Sequence, residues 1–300
     1  MQIYHDLVER VLRDGVRKTN RTGTDTLSSF AESYKVELEE GFPLLTTKKV
    51  YIRSVLLELL WYLRGDDHIR WLRDEQNVHI WDAWADESGY VGPIYPVLWR
   101  RYPMWEDAEG KGYVPQGERD SGTTEATGTA ETAETTEAAG GMRLREVDQL
   151  RNAIEMLRTQ PESRRIVVNT WHPGLLAEMA LPPCHILYVF NVSDGRLNCH
   201  LTQRSGDIAL GIPFNLACYA ALTQAVAQEV GLRPGVFAHT IVDAHIYVNH
   251  IDGLREQLTR EPKPLPTLTI ARKPIDELEL EDFTLEGYDP DPPIRFEVAV

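Results

Sequence analysis

The sequence predicts an α+β fold: one domain with a large mixed sheet covered by helices. Three observations predict it. Amphipathic helical spacing fills much of the N-terminal half, and short β-rich runs take over beyond Pro161. A low-complexity stretch interrupts the helical spacing, which then resumes, so a single core is expected to run across the interruption. Three hundred residues with 42% hydrophobic content suffice to bury such a core.

In chain order, Tyr4 to Arg17 places Leu7, Val8, Val11, Leu12 and Val16 on one face of a packing helix. The polar run Asn20 to Thr26 is a loop, Ser29 to Leu38 reads as a strand, and Gly41-Phe42-Pro43 marks a turn. Arg53 to Arg64 is a strongly apolar helix with one carboxylate, Glu58, in its middle. Residues 120–141 are Thr, Glu, Ala and Gly, cannot bury enough apolar surface to offset their ordering entropy, and read as a disordered surface insertion. Leu144, Val147, Leu150, Ile154 and Leu157 then resume a helical spacing. Arg165 to Thr170, His185 to Val192 and Arg196 to Gln203 read as strands, the last two joined by a hairpin turn at Ser193-Asp194-Gly195. Helix returns from Leu216 to Val230, strands follow near Thr240 to Val242 and Thr267 to Ile270, and a Pro-rich tail ends the sequence.

No charged, apolar leader opens the sequence, and no apolar run approaches the roughly 20 residues of a membrane-spanning helix, so neither membrane insertion nor processing is expected. Three cysteines without Cys-x-x-Cys spacing argue against a disulfide framework or a structural zinc site and suit a reducing cytoplasm. The net charge of −15 disfavours nucleic acid as a partner and fits a solvated acidic surface. Any phosphate must therefore be held by a local arginine cluster.

Two runs supply the candidate chemistry. Leu181-Pro182-Pro183-Cys184-His185 sets a thiol at the start of a strand, with His185 directed to the opposite face. Gln203-Arg204-Ser205-Gly206-Asp207, followed by Gly211-Ile212-Pro213-Phe214-Asn215, can surround it with an anion site. A cation at Arg204 would both favour the thiolate and hold a substrate anion. On this context alone Cys184 is either a nucleophile or an inert core cysteine, whereas Cys199 reads as a sheet residue and Cys218 as core. Arg21, Arg164, Arg165 and Arg204 lie in polar or turn contexts and as a set suit a phosphomonoester; singly, each reads equally as a surface ion-pair residue. Asp243, His245 and Tyr247 alternate on one strand face, so His245 and Tyr247 either donate to a sugar hydroxyl or merely satisfy a sheet edge. His245 and His250 do not share a helix face, and no metal site is expected. The Asn215 amide complements the O4 and N3–H edge of a uracil ring, or serves structure alone.

These residues resemble the folate-dependent thymidylate synthases over nearly the whole chain apart from the insertion. The motifs are Arg21-Thr22-Gly23-Thr24, Phe42-Pro43-Leu44-Leu45-Thr46-Thr47-Lys48, Glu58-Leu59-Leu60-Trp61, Ile80-Trp81-Asp82-Ala83-Trp84, Ser163-Arg164-Arg165, Pro183-Cys184-His185, the Gln203 and Gly211 runs, and Asp243-Ala244-His245-Ile246-Tyr247. The resemblance implies a homodimer formed through the sheet, with Arg164 and Arg165 reaching the partner's phosphate site while Arg21, Arg204 and Ser205 serve their own. It implies that Cys184 adds to C6 of dUMP and that 5,10-methylenetetrahydrofolate supplies the one-carbon unit and the hydride. Tyr95 would help remove the C5 proton through ordered water shared with Glu58, His185 and Asn215. Asp207 would bind the pterin beside the nucleotide, and Ile80, Trp81, Leu181, Gly211 and Phe214 would line the folate pocket. Val300 and its neighbours would close over the ternary complex.

Three departures stand against that pattern. Tyr95-Pro96-Val97-Leu98-Trp99-Arg100 occupies the place of the usual Tyr-Gly-x-Gln-Trp-Arg, so the loop that places Tyr95 is expected to be set differently. Leu57 replaces a usual histidine and Val242 a usual glycine, which would adjust the water network and the ribose contacts. The nearest alternative is a pyrimidine-nucleotide hydroxymethylase on the same scaffold, in which water captures the exocyclic methylene. Asn215 argues against a cytosine substrate, and Trp81 argues for an intermediate kept from water. A regulatory module that binds the nucleotide without turnover is the reading from a different class.

Overall fold

The computed structural model describes residues 1–106 and 143–298. The low-complexity stretch and Val300 lie outside the described residues. In chain order the elements are α1 (Gln2–Asp14), β1 (Val16–Lys18), β2 (Thr26–Glu37), α2 (Ile52–Arg64), α3 (Tyr95–Arg100), β3 (Tyr102–Glu106) and β4 (Arg143–Val147). Then come α4 (Gln149–Thr159), β5 (Val167–Asn169), β6 (His185–Ser193), β7 (Arg196–Asp207), α5 (Gly211–Glu229), β8 (Arg233–Tyr247), α6 (Ile251–Leu258), β9 (Thr267–Ile270) and β10 (Phe283–Glu286).

Six strands form the main sheet in the order β1-β2-β8-β7-β6-β5. Neighbours are antiparallel except β7 and β8, which run parallel and are joined by α5. The sheet is therefore mixed, as the sequence predicts, and α5 is its crossover helix. Helix α5 buries Leu216, Cys218, Tyr219, Leu222 and Val226 and meets α2, which buries residues all round its surface from Val55 to Leu63. A helix that is apolar on every side belongs in a core between layers. Asp194 and Gly195 turn the β6–β7 hairpin, both with positive φ (52° and 69°), as a two-residue turn there requires.

Burial alternates along β7 through Leu197, Cys199, Leu201 and Gln203, and along β8 through Phe237, His239 and Ile241. Gln203 pairs with Ile241, and beyond that row the phase changes on both strands. Ser205, Asp207, Asp243, His245 and Tyr247 are left half-buried, while Ala244 and Ile246 go to the core. Ala31 of β2 adopts φ 60° in the same row, between Phe30, opposite Asp243, and Glu32, opposite Ile241. This irregular row takes polar side chains out of the core at one end of an otherwise regular sheet.

Several boundaries differ from the sequence expectation. α1 stops before Gly15, which is extended, so Val16 begins β1 and is 65% exposed instead of packing on the helix face. Leu144 and Val147 lie in β4, hairpinned with β3, because Asp148 caps α4 by accepting from the Arg151 N–H at 2.8 Å. α5 starts at Gly211, five residues before the expected Leu216: Asp207 Oδ1 accepts from the N–H groups of Ala209 and Leu210 ahead of it, and Pro213 fits its first turn. β8 is far longer than Thr240 to Val242, because its buried His239 finds side-chain partners. β5 is shorter than expected, whereas β9 spans the expected residues. No helix among the described residues is long and apolar enough to cross a membrane.

Candidate active site

Pro182 and Pro183 bring the chain to the start of β6 and leave Cys184 half-buried just ahead of it. Its backbone is held on both sides. The Cys184 N–H donates to Tyr95 Oη at 2.7 Å, and its carbonyl accepts from the Arg204 N–H at 2.8 Å. Arg204 also clamps the preceding turn, donating from Nε to the Pro183 carbonyl at 2.8 Å and from Nη2 to the Pro182 carbonyl at 2.7 Å. Its guanidinium lies 5.8 Å from the Trp171 ring. Withdrawal from water pushes the Cys184 thiol up, and this outweighs the opposing pull of Arg204, the Tyr95 hydroxyl and Arg21. Arg204 thus acts on the thiol in the expected direction, but burial sets the net sign.

Tyr95 opens α3. Pro96 sits in the first turn, where its missing N–H costs nothing, so Pro-Val-Leu folds as a short helix that buries Val97, Leu98 and Trp99 and still delivers the Tyr95 hydroxyl to Cys184. The Tyr95 ring lies 4.8 Å from His185, 5.3 Å from Tyr62 and 6.0 Å from Trp81. Glu58 Oε1 accepts from Trp81 Nε1 at 2.8 Å, and Tyr62, one turn further along α2, is its second donor. Burial pushes Glu58 up to about 7, and these neutral donors only partly oppose it. His185, directed into the core as expected from alternation, is pushed down to about 4 by burial, against a bond to Asn215. It is therefore a neutral imidazole at pH 7.

Asn215 stands at the end of a chain of buried polar groups that the sequence reading missed. Tyr34 Oη and His239 Nδ1 are 2.8 Å apart, His239 Nε2 and Gln203 Oε1 2.9 Å, and Gln203 Nε2 donates to Asn215 Oδ1 at 3.1 Å. Gln203 Nε2 also donates to the Ser205 carbonyl at 2.8 Å, which fixes both amides. The available signal was a polar Gln at a core-parity position of β7.

The anion-site residues fall into two groups. Arg21 projects from a tight turn in which Asn20 accepts from the Thr22 N–H at 2.9 Å, and its charge is felt at both Cys184 and Tyr247. Ser205 Oγ lies 3.4 Å from His245 Nδ1, and His245 meets Tyr247 edge-on at 5.3 Å. Asp243 is held well below the usual carboxylate range by His245, Ser28 and Lys18. Arg164 and Arg165 instead stand exposed in the turn before β5, and neither contributes to the setting of Cys184. Among the described residues, no carboxylate pairs with Arg21, Arg164 or Arg165.

Asp207 faces a second buried cation that the sequence reading also passed over. Lys48, at the end of the buried run Phe42 to Lys48, donates from Nζ to the Ala209 carbonyl and lies 4.6 Å from the Phe296 ring. Burial lowers it to about 8, against the pull of Asp207. Ile80, Leu181 and Phe214 pack half-buried against the core, Gly211 is half-buried at the start of α5, and Trp81 is buried beside Glu58. Among the described residues no cluster of three His, Cys, Asp or Glu side chains is assembled for a metal.

A framed thiol, a buried acid near neutrality and a guanidinium at the end of a mixed sheet define an α+β protein with a candidate enzyme site. A family model for thymidylate synthase matches residues 2–300, essentially the whole chain, and the chain belongs to that family. The family works on dUMP with methylenetetrahydrofolate as co-substrate.

Proposed function

We propose that the protein is a thymidylate synthase, converting dUMP to dTMP with 5,10-methylenetetrahydrofolate and releasing dihydrofolate. The observation that carries this reading is the Cys184 backbone clamped between Tyr95 and Arg204, with Glu58 at about 7 close by. Cys184 Sγ bonds to C6 of the pyrimidine, and the enolate at C5 attacks the methylene carbon of the opened folate iminium. Tyr95 helps remove the C5 proton, which passes to water held by Glu58, His185 and Asn215, as the bond between the methylene carbon and folate N5 breaks. The exocyclic methylene then accepts hydride from tetrahydrofolate, and the Cys184 bond to C6 breaks.

Arg204 and Arg21 hold the phosphate with Ser205, His245 and Tyr247 meet the ribose, and Asn215 reads the O4 and N3–H edge. Asp207 and the rim of Ile80, Trp81, Leu181, Gly211 and Phe214 receive the folate. Arg164 and Arg165 serve the site of a second copy packed on the sheet. In support, Val189, Thr202, Ala238 and Thr240 on alternate positions stay only half-buried, and Val167 is 41% exposed. Three free thiols suit a reducing cytoplasm.

The purified protein is incubated with dUMP and methylenetetrahydrofolate, dihydrofolate is followed by absorbance, and the nucleotide is identified by mass. Dihydrofolate and dTMP in equal amounts are expected, with no turnover in Cys184→Ala. Hydroxymethyl-dUMP without dihydrofolate would assign the hydroxymethylase instead. For the dimer, Cys184→Ala mixed with Arg165→Ala regains activity that neither has alone; no recovery on mixing counts against shared sites.

A further inference from the structure

After β8 the chain turns through Val248–His250, and the His250 side chain is only 1% exposed. Its Nε2 lies 2.8 Å from the carbonyl oxygen of Glu297. A carbonyl only accepts, so this nitrogen carries the proton. The opposite nitrogen, Nδ1, is shielded from solvent, has no hydrogen-bond partner among the described residues, and lies 3.8 Å from Asp207 Oδ1. The ring is gripped edge-on between Tyr247 at 5.5 Å and Phe296 at 5.0 Å. Phe296 in turn lies under Lys48 Nζ and fills the space beside Gly253, where an added Cβ would come within 2.7 Å of the ring.

We propose that His250 is a positioning residue that couples the segment around Glu297 to Asp207. A rigid imidazole bonds the tail backbone with one nitrogen and packs its other nitrogen against the carboxylate that holds the turn ahead of α5, so a displacement of the tail is passed to Asp207 through the ring. The unprotonated Nδ1 has no proton to give the carboxylate, so on this side the link is packing: a ring carried along by the tail changes its 3.8 Å contact with Asp207. The link to substrate rests on the proposed function, in which Asp207 meets the folate. The link to the tail does not.

The test separates the two links. His250→Gln places an amide N–H near the Nε2 position and keeps the bond to Glu297, whereas His250→Asn is too short to reach it. Trypsin cleavage after the exposed Arg295, followed by mass in native buffer, reports how often the tail leaves its seat. His250→Asn is expected to be cleaved about fivefold to tenfold faster, the loss of one buried hydrogen bond, with His250→Gln close to wild type and thermal midpoints confirming that both fold. In turnover, His250→Asn raises the KM for methylenetetrahydrofolate about fivefold on the same basis, with dUMP affinity unchanged. Equal cleavage of wild type and His250→Asn, or equally fast cleavage of both variants, overturns the tail link. Faster cleavage with an unchanged folate KM overturns the link to Asp207. A wild-type protein without turnover would defeat the functional reading while the cleavage result still decides the anchor.

Discussion

Glu58 and Glu229 are both carboxylates sunk in core helices, and the chain treats them in opposite ways. Glu229, its side chain 4% exposed, pairs with Arg151 at 3.2 Å and Arg158 at 2.7 Å and accepts from the Ile275 N–H at 2.8 Å. Arg151 continues to Asp276, which also holds Arg100, and Arg100 pairs with Asp148 at 2.9 Å. That network ties α3, α4 and α5 to the segment at Ile275. Among the described residues Glu58 has no such cation: an indole N–H and a phenol are its donors, and burial drives it up to about 7. Surrounding a buried carboxylate with guanidinium makes it a rivet. Surrounding it with aromatic donors leaves a group that exchanges its proton near neutral pH.

The largest break in this contrast is Glu58→Gln, which keeps the size and an acceptor for Trp81 but cannot exchange a proton. Turnover is expected to fall by about 10²–10⁴, the usual contribution of a positioned acid–base group, with dUMP binding retained in equilibrium titration. A loss of less than threefold would make Glu58 a packing residue. Glu229→Gln should instead spare the chemistry and cost about 2–4 kcal/mol of stability, because two arginines lose their charged partner. Chemical denaturation measures it, and an unchanged midpoint would show that the arginines find other acceptors.

A finer separation comes from pH. Glu58 has a folded-state pKa raised to about 7 from an ordinary value of 4.5, so its contribution to stability is complete below about 4.5 and disappears as pH rises through 7. Wild type should therefore lose about 2 kcal/mol more than Glu58→Gln between pH 5 and pH 8, a figure that follows from the width of the shift. Thermal unfolding at the two pH values tests it. Parallel losses in the two proteins would mean that the carboxylate titrates near its ordinary value and is not the poised group of the comparison.

Much of this is legible in the sequence. The apolar run around Glu58 announced a buried acid, the Pro-Pro-Cys-His run placed the thiol and turned His185 inward, and the Asp194-Gly195 turn fixed the hairpin. What escaped was whatever depends on partners distant in sequence. Leu144 fits a helical period as well as a strand, and only the pairing of β4 with β3 decides between them. The first half of β8 escapes because buried His239 looks polar until Tyr34 and Gln203 are seen to satisfy it. The burial of Lys48 is not legible in the sequence, because Ala209 and Phe296, which close over it, lie far along the chain. The Tyr95 loop, expected to be set differently, delivers its hydroxyl to Cys184 because Pro96 starts a helix well.

The smallest effect concerns the cation that Glu58 lacks and Cys184 has. Arg204 lies between the two extremes: it favours the thiolate electrostatically, yet Nε and Nη2 are engaged by the Pro183 and Pro182 carbonyls and so position the turn as much as they supply charge. Lysine keeps the charge but has no planar fork to span two carbonyls, whereas glutamine gives up the charge. Alkylation of Cys184 by iodoacetamide at pH 8 reads the thiolate fraction, with buried Cys199 and Cys218 as unreactive internal controls. Arg204→Gln should slow it, because the thiol loses the strongest of the neighbours that favour the thiolate. If Arg204→Lys alkylates at the wild-type rate, charge alone relieves the thiol. The geometry favours a rate for Arg204→Lys between wild type and Arg204→Gln, because an ammonium that cannot span both carbonyls loosens the turn and sits further from sulfur. A lysine variant as slow as the glutamine one would make the two-carbonyl clamp, and not the charge, the decisive feature of Arg204.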